Sequence, residues 1–145
     1  MKNRVAVLHG VNLNTLGRRP AEHYGTLTLS ELERAVGRFA RELSLEAMFF
    51  QTNHEGEYVE ELHKASEYAD GLLLNPGAWT HYAWALRDAL EVAGLPAVEV
   101  HLSDVDAREP FRRVSVLADV VLGRVSGQGV EGYRTALEQL KGALA

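Results

Sequence analysis

Five short runs of consecutive apolar residues alternate with longer stretches of helical periodicity, and this alternation leaves few architectures open. The runs are Val5–Leu8, Ala47–Phe50 (within Leu45–Gln51), Leu72–Leu74, Ala97–Val100 and Val120–Leu122. Apolar side chains at successive positions, rather than alternate ones, predict strands covered on both faces, as in a parallel sheet. The intervening stretches carry helix signals. Thr28-Leu29-Ser30-Glu31 has the form of a capping box. Leu29, Leu32, Val36, Phe39 and Leu43 then share one helical face. A second helix is predicted over Gly56–Tyr68, with Val59, Leu62 and Ala65 inward. A third is predicted over Thr80–Gly94, stopped by Gly94 and Pro96. The last spans Val130–Leu144, with Tyr133, Leu137, Leu140 and Leu144 as its apolar positions.

The order β-α-β-α-β-α-β-(short helix)-β-α predicts a five-stranded parallel sheet with helices on both faces, a flavodoxin-like, doubly wound α/β fold. The 145 residues contain no linker or repeat, so a single domain over residues 1–145 is expected. The absence of cysteine excludes disulfides and thiolate chemistry. A net charge of -5 lacks the basic footprint of a nucleic-acid binder. No apolar run reaches the ~18 residues of a membrane helix, and no signal-peptide segment follows Met1. A cytoplasmic protein with neither nucleic-acid nor membrane partners is expected. None of the six histidines forms an i,i+4 pair, so no metal site is expected. Gly127 to Gly132 satisfies G-x-G-x-x-G, but no strand bearing an acidic residue follows; it reads as a turn into the last helix.

Open parallel sheets bind ligands outside the carboxyl ends of their strands. His9, Asn12 and Asn14 follow the first strand; Asn53, His54 and Glu55 the second; Asn75 and then His81 the third. Glu99, His101 and Ser103 lie in or after the fourth, and Ser126 and Gly127 after the fifth. Any one of these is as readily a turn or helix cap. Together on one rim, neutral amides and imidazoles suit a small polyhydroxylated ligand. The Gly10–Thr26 connection is far longer than an ordinary strand-to-helix loop and carries Gly17, Arg18, Arg19, Pro20 and Gly25; its length and composition suggest a functional lid.

These segments resemble type II 3-dehydroquinate dehydratases over nearly the whole chain. The resemblance rests on Gly10-Val11-Asn12-Leu13-Asn14, Leu16-Gly17-Arg18-Arg19, Tyr24-Gly25, Gln51-Thr52-Asn53-His54-Glu55-Gly56-Glu57 and Asn75-Pro76-Gly77-Ala78-Trp79-Thr80-His81. It continues through Ala85-Leu86-Arg87-Asp88-Ala89, Glu99-Val100-His101-Leu102-Ser103 and Arg108-Glu109-Pro110-Phe111-Arg112. His9, Val11, Thr15, Pro20, Trp79 and Asp104 depart from the usual family pattern. The resemblance implies a cofactor-free anti dehydration of 3-dehydroquinate to 3-dehydroshikimate through an enolate, in the shikimate pathway of aromatic biosynthesis. Quinate breakdown remains an alternative setting.

The implied base is Tyr24, with Arg19 stabilising its phenolate. The implied acid is His101, oriented by Glu99, and Asn12 holds a water or the enolate oxygen. Asn75, His81, Ser103 and Arg112, with the amides of Leu102 and Ser103, are the implied substrate contacts. Asp88 is expected to enter from a neighbouring subunit of a trimer-based dodecamer. Lys2, Lys64 and Lys141, the only lysines, do not look placed for a Schiff base. Fold alone would also admit a flavin- or nucleotide-binding module, although the first loop lacks a Ser/Thr-Gly-rich phosphate cradle.

Overall fold

The computed structural model describes residues 1–145 and contains one all-parallel sheet. Its strands are β1 (Arg4–His9), β2 (Glu46–Gln51), β3 (Gly71–Asn75), β4 (Ala97–His101) and β5 (Gly123–Ser126). Its helices are α1 (Ala21–Tyr24), α2 (Leu29–Glu42), α3 (Glu55–Lys64), α4 (Trp84–Ala93) and α5 (Glu131–Leu144). The strand order β2-β1-β3-β4-β5 is the flavodoxin-like one. Alternate residues of the buried strands feed two cores. Val5, Val7 and Val98 pack with Leu32, Val36 and Phe39 of α2 and Tyr133, Leu137 and Leu140 of α5. Ala6, Leu8 and Leu74 pack with Tyr58 and Leu62 of α3 and Leu86 and Leu90 of α4.

The capping box forms as expected. Glu31 N–H donates to Thr28 Oγ1 at 3.2 Å, and Thr28 N–H donates to Glu31 Oε1 at 2.9 Å. Three other expectations need correction. The fifth strand is Gly123–Ser126, not Val120–Leu122, and pairs Val98 with Gly123 through His101 with Ser126. It is an edge strand with only Val125 fully buried, so it lacks the continuous apolar run of a central strand. Val120 and Val121 instead pack against the core that holds α3 and α4, from a turn-rich segment.

The second helix ends at Lys64 and tightens into a 3-10 turn over Ala65–Glu67. Leu62 and Ala65 are buried as expected, and Tyr58 joins them, its hydroxyl donating to the Leu8 carbonyl at 2.9 Å, while Val59 is only half-buried. The third helix does not start at Thr80. A 3-10 turn occupies Gly77–His81 and α4 begins at Trp84, because the Thr80 hydroxyl donates to Glu99 instead of capping the helix.

Chain connections leave β1 in opposite directions, towards β2 and then back across to β3, which opens a crevice between the carboxyl ends of β1 and β3. Two glycines close its floor. A Cβ on Gly10 would stand 2.3 Å from the Pro76 carbonyl oxygen, and one on Gly77 2.7 Å from that of Val11. Gly77 also has φ +67°, a conformation that side chains disfavour. The loops after β1 and β3 therefore meet backbone to backbone.

Candidate active site

The crevice holds a cavity of about 140 Å³ at the carboxyl end of the sheet. Arg19, Arg108 and Arg112 all line it, and no aspartate or glutamate does. A strongly cationic cavity in a chain of net charge -5 is built for an anion.

The first wall comes from the long loop after β1. Leu13 and Leu16 are buried in the core that holds α2 and α5 and anchor the loop's start. Asn12 adopts a left-handed conformation (φ 70°), which asparagine tolerates better than most residues. Its N–H donates to Asn53 Oδ1 at 2.8 Å, and Asn53 is braced in turn by Gln51 and Asn14. The one-turn helix α1 then places Tyr24 over the cavity. Its phenol oxygen accepts from Arg19 Nη2 at 2.8 Å and from Arg108 Nη1 at 2.6 Å. The Arg19 guanidinium also lies 3.8 Å from the ring centroid. Burial lowers the Arg19 pKa from its ordinary value; Tyr24 opposes this, and Arg108 and Arg112 add to it. The guanidinium still stays charged at any working pH.

The second wall comes from β3 and β4. Asn75 donates to the buried Tyr133 hydroxyl at 3.0 Å and accepts from Gly77 N–H at 3.2 Å, which fixes its amide plane at the cavity. His81 Nδ1 lies 2.7 Å from the Val114 carbonyl, and burial pulls this imidazole towards its neutral form. His101 stacks beside it, with ring centroids 6.5 Å apart.

Glu99 and His101 leave β4 on the same face, and Glu99 Oε2 lies 2.5 Å from His101 Nε2. The Glu99 carboxylate also accepts from Thr80 Oγ1 at 2.5 Å and Ser115 Oγ at 2.6 Å. Burial would raise its pKa, but the hydrogen bonds from His101, Ser115 and Thr80 outweigh burial and hold it at about 2. With Nε2 committed to the carboxylate, Nδ1 is the His101 nitrogen left for the cavity. Beyond β4, Leu102 and Ser103 line the cavity, and neither amide finds a backbone acceptor.

The structure thus brings together Asn12, Arg19, Tyr24, Asn75, His81, His101, Leu102, Ser103 and Arg112, with Glu99 directly behind His101. Asp88 is exposed on α4 and does not reach the cavity of its own chain. Other rim residues fall elsewhere. His9 is fully buried on the α2 side of the sheet, with Nε2 3.1 Å from Glu33, and does not line the cavity. His54 precedes α3 in the open. Asn14 and Asn53 support the loop without lining the cavity. Arg108 was the functional residue missed. Its motif carries three arginines within six residues, and nothing local says which one faces inward.

Fold and site together define a doubly wound α/β protein whose cationic cleft brings a guanidinium-held phenol and a Glu–His pair to one cavity. Residues 3–141 match the family described as Dehydroquinase class II. A 3-dehydroquinate dehydratase of Bacillus licheniformis is 49% identical over 133 residues, covering 92% of each chain. One of Halothermothrix orenii is 49% identical over 138 residues, covering 95% of this chain and 93% of its own. The crystal structure of the type II dehydroquinase from Propionibacterium acnes superposes with a TM-score of 0.90 at 39% identity, covering 98% of each chain. The chain belongs to the class II dehydroquinase family.

Proposed function

We propose that this chain dehydrates 3-dehydroquinate to 3-dehydroshikimate by anti elimination. The observation that carries the reading is the phenol oxygen of Tyr24 held by two guanidinium groups in the cavity that His101 also lines. Tyr24, as phenolate, takes the proton alpha to the ring ketone. The electron pair moves into an enolate, whose oxygen is held through Asn12. The ketone then re-forms, the enolate electron pair makes the alpha–beta C=C bond, and the beta C–O bond breaks as His101 protonates the hydroxyl, which departs as water. Arg112 and the free amides of Leu102 and Ser103 hold the substrate carboxylate. Asn75 and neutral His81 orient the ring hydroxyls. No step needs a covalent amine. Lys2, Lys64 and Lys141 are all exposed, and none lines the cavity. The setting is the shikimate pathway in the cytoplasm; no helix is long and apolar enough to cross a membrane.

The test is to mix purified protein with 3-dehydroquinate and follow the ultraviolet absorbance of the conjugated enone, then to treat a second sample with substrate plus borohydride, remove both, and assay what activity remains. The enone forms in the first sample, and the treated protein keeps its activity. Inactivation together with a lysine adduct would instead require Schiff-base chemistry.

The active unit is an oligomer in which Asp88 reaches a neighbour's site. Trp84, Asp88 and Val92 follow one another at i,i+4 along α4, and Trp84 and Val92 are 63% and 67% exposed. Tyr82, 60% exposed, extends this apolar patch beside Asp88, a composition that suits a subunit interface. We expect trimers assembled into a dodecamer. Asp88→Asn lowers kcat/KM about tenfold or more, on the scale of one lost charged contact, with assembly unchanged by light scattering. A fully active monomer would refute this arrangement.

A further inference from the structure

The mechanism above leaves one buried-side cation without a task. Arg124 lies on edge strand β5 directly opposite Glu99 of β4, and such cross-strand partners project from the same face. Its Nε donates to Glu99 Oε2 at 3.4 Å, the oxygen that also faces His101 Nε2 at 2.5 Å. Its Nη2 donates to the Arg112 carbonyl and its Nη1 to the Arg113 carbonyl, each at 3.4 Å. Its side chain is 20% exposed, and it does not line the cavity.

We propose that Arg124 is a positioning residue that sets the acid strength of His101 through Glu99 and holds the Arg112 segment against the cavity. Glu99 alone, a buried carboxylate on an imidazole, would stabilise the imidazolium and make it reluctant to release its proton. A guanidinium on the same oxygen cancels much of that field. Glu99 then still fixes the ring's orientation, but the proton passes more readily to the departing hydroxyl. The grip on two successive carbonyls ties this tuning to the loop that presents Arg112.

Other charged or titratable groups face this cluster. His81 stacks on His101 from the turn after β3. Arg108 and Arg112 line the cavity from the segment after β4. Asp106 lies 3.9 Å from Arg124 Nη1 in that segment. Tyr58 on α3 lies within electrostatic reach of Glu99, and Tyr24 lines the same cavity from the lid. All remain in place when Arg124 alone is changed, so the difference between variants reports Arg124.

The test compares Arg124→Gln, which keeps a donor for Glu99 without the charge, with Arg124→Lys, which keeps the charge but cannot reach both carbonyls. It uses two readouts: the pH profile of kcat, and the histidine ring titration followed by nuclear magnetic resonance on the intact oligomer. In Arg124→Gln the midpoint of the His101 titration moves up by about one pH unit, a tenfold change in equilibrium. The alkaline limb of kcat moves with it. In Arg124→Lys both stay near wild type, while KM rises about fivefold as the carbonyl grip weakens, a sub-kilocalorie-scale change typical of weak hydrogen bonds. An unmoved His101 midpoint in folded Arg124→Gln overturns the inference. The inference rests on His101 as the acid of the proposed reaction. A kinetic limb that fails to follow the His101 midpoint in either variant counts against that role, and the resonance data judge Arg124 separately.

Discussion

Tyr24→Phe lowers kcat by about three orders of magnitude, within the range of a lost general base and equivalent to about 4 kcal/mol in the barrier. The fold survives, because the Tyr24 hydroxyl bonds only to Arg19 and Arg108, and the half-buried ring keeps its packing as phenylalanine. Arg108→Met separates the base from its activator. Arg108 makes the shorter contact, 2.6 Å against 2.8 Å for Arg19, so its removal leaves the phenol with one cation. A base must be ionised to act, and losing a cation makes ionisation harder. The acidic limb of the kcat profile therefore moves to higher pH, and part of the activity lost near neutrality returns in alkaline buffer. Tyr24→Phe shows no such recovery. The check is the enone assay over the full pH range, with circular dichroism to verify folding. Wild-type turnover in Tyr24→Phe would remove this residue as the base.

The contrast between Arg19 and Arg108 shows where sequence reading works and where it stops. Arg19 lies five residues from Tyr24 on one loop, so local spacing and the family motif suffice to pair them. Arg108 is separated from Tyr24 by 84 positions and meets it only after β1 and β4 are joined through β3. Arg124 poses the same problem in a harder form. Its partner Glu99 is fixed by the β4–β5 register, and the expected fifth strand was displaced towards the preceding apolar run. Central strands β1, β3 and β4 were legible because burial on both faces writes an uninterrupted apolar run. Edge strands β2 and β5 are half-exposed and write a weaker signal.

His9 errs the other way. Position after a strand placed it on the rim, but the alternation of side chains along β1 sends it to the α2 side, against Glu33 and Phe49. Asn75 and Asn12 sit at the positions their strands predict. What holds them, Tyr133 and Asn53, comes from 58 and 41 residues away.

Glu99→Gln has the second large effect, on stability and turnover together. Glu99 is fully buried and accepts from Thr80, Ser115, Arg124 and the His101 ring. Glutamine offers one acceptor oxygen where the carboxylate offered two, and it carries no charge for Arg124. Removing one member of a buried ionic network typically destabilises by about 3–5 kcal/mol, and kcat falls about a hundredfold as the acid's ring loses its orientation.

The pH dependence separates this from a simple packing defect. The Glu99 pKa is held at about 2 in the fold, below the ordinary 4.5 that the unfolded chain would show. A depressed carboxyl stabilises the native state fully above the unfolded value, and that contribution fades as pH falls from about 4.5 towards 2. Between pH 6 and pH 3 the wild-type protein therefore loses about 2 kcal/mol more unfolding free energy than Glu99→Gln, which has no proton to take up at this position. Denaturant titrations of both proteins at the two pH values measure that difference directly. Parallel acid sensitivity in the two proteins would mean that the carboxylate is not held ionised by its donors. The electrostatic basis for both the His101 dyad and its tuning by Arg124 would then fail together.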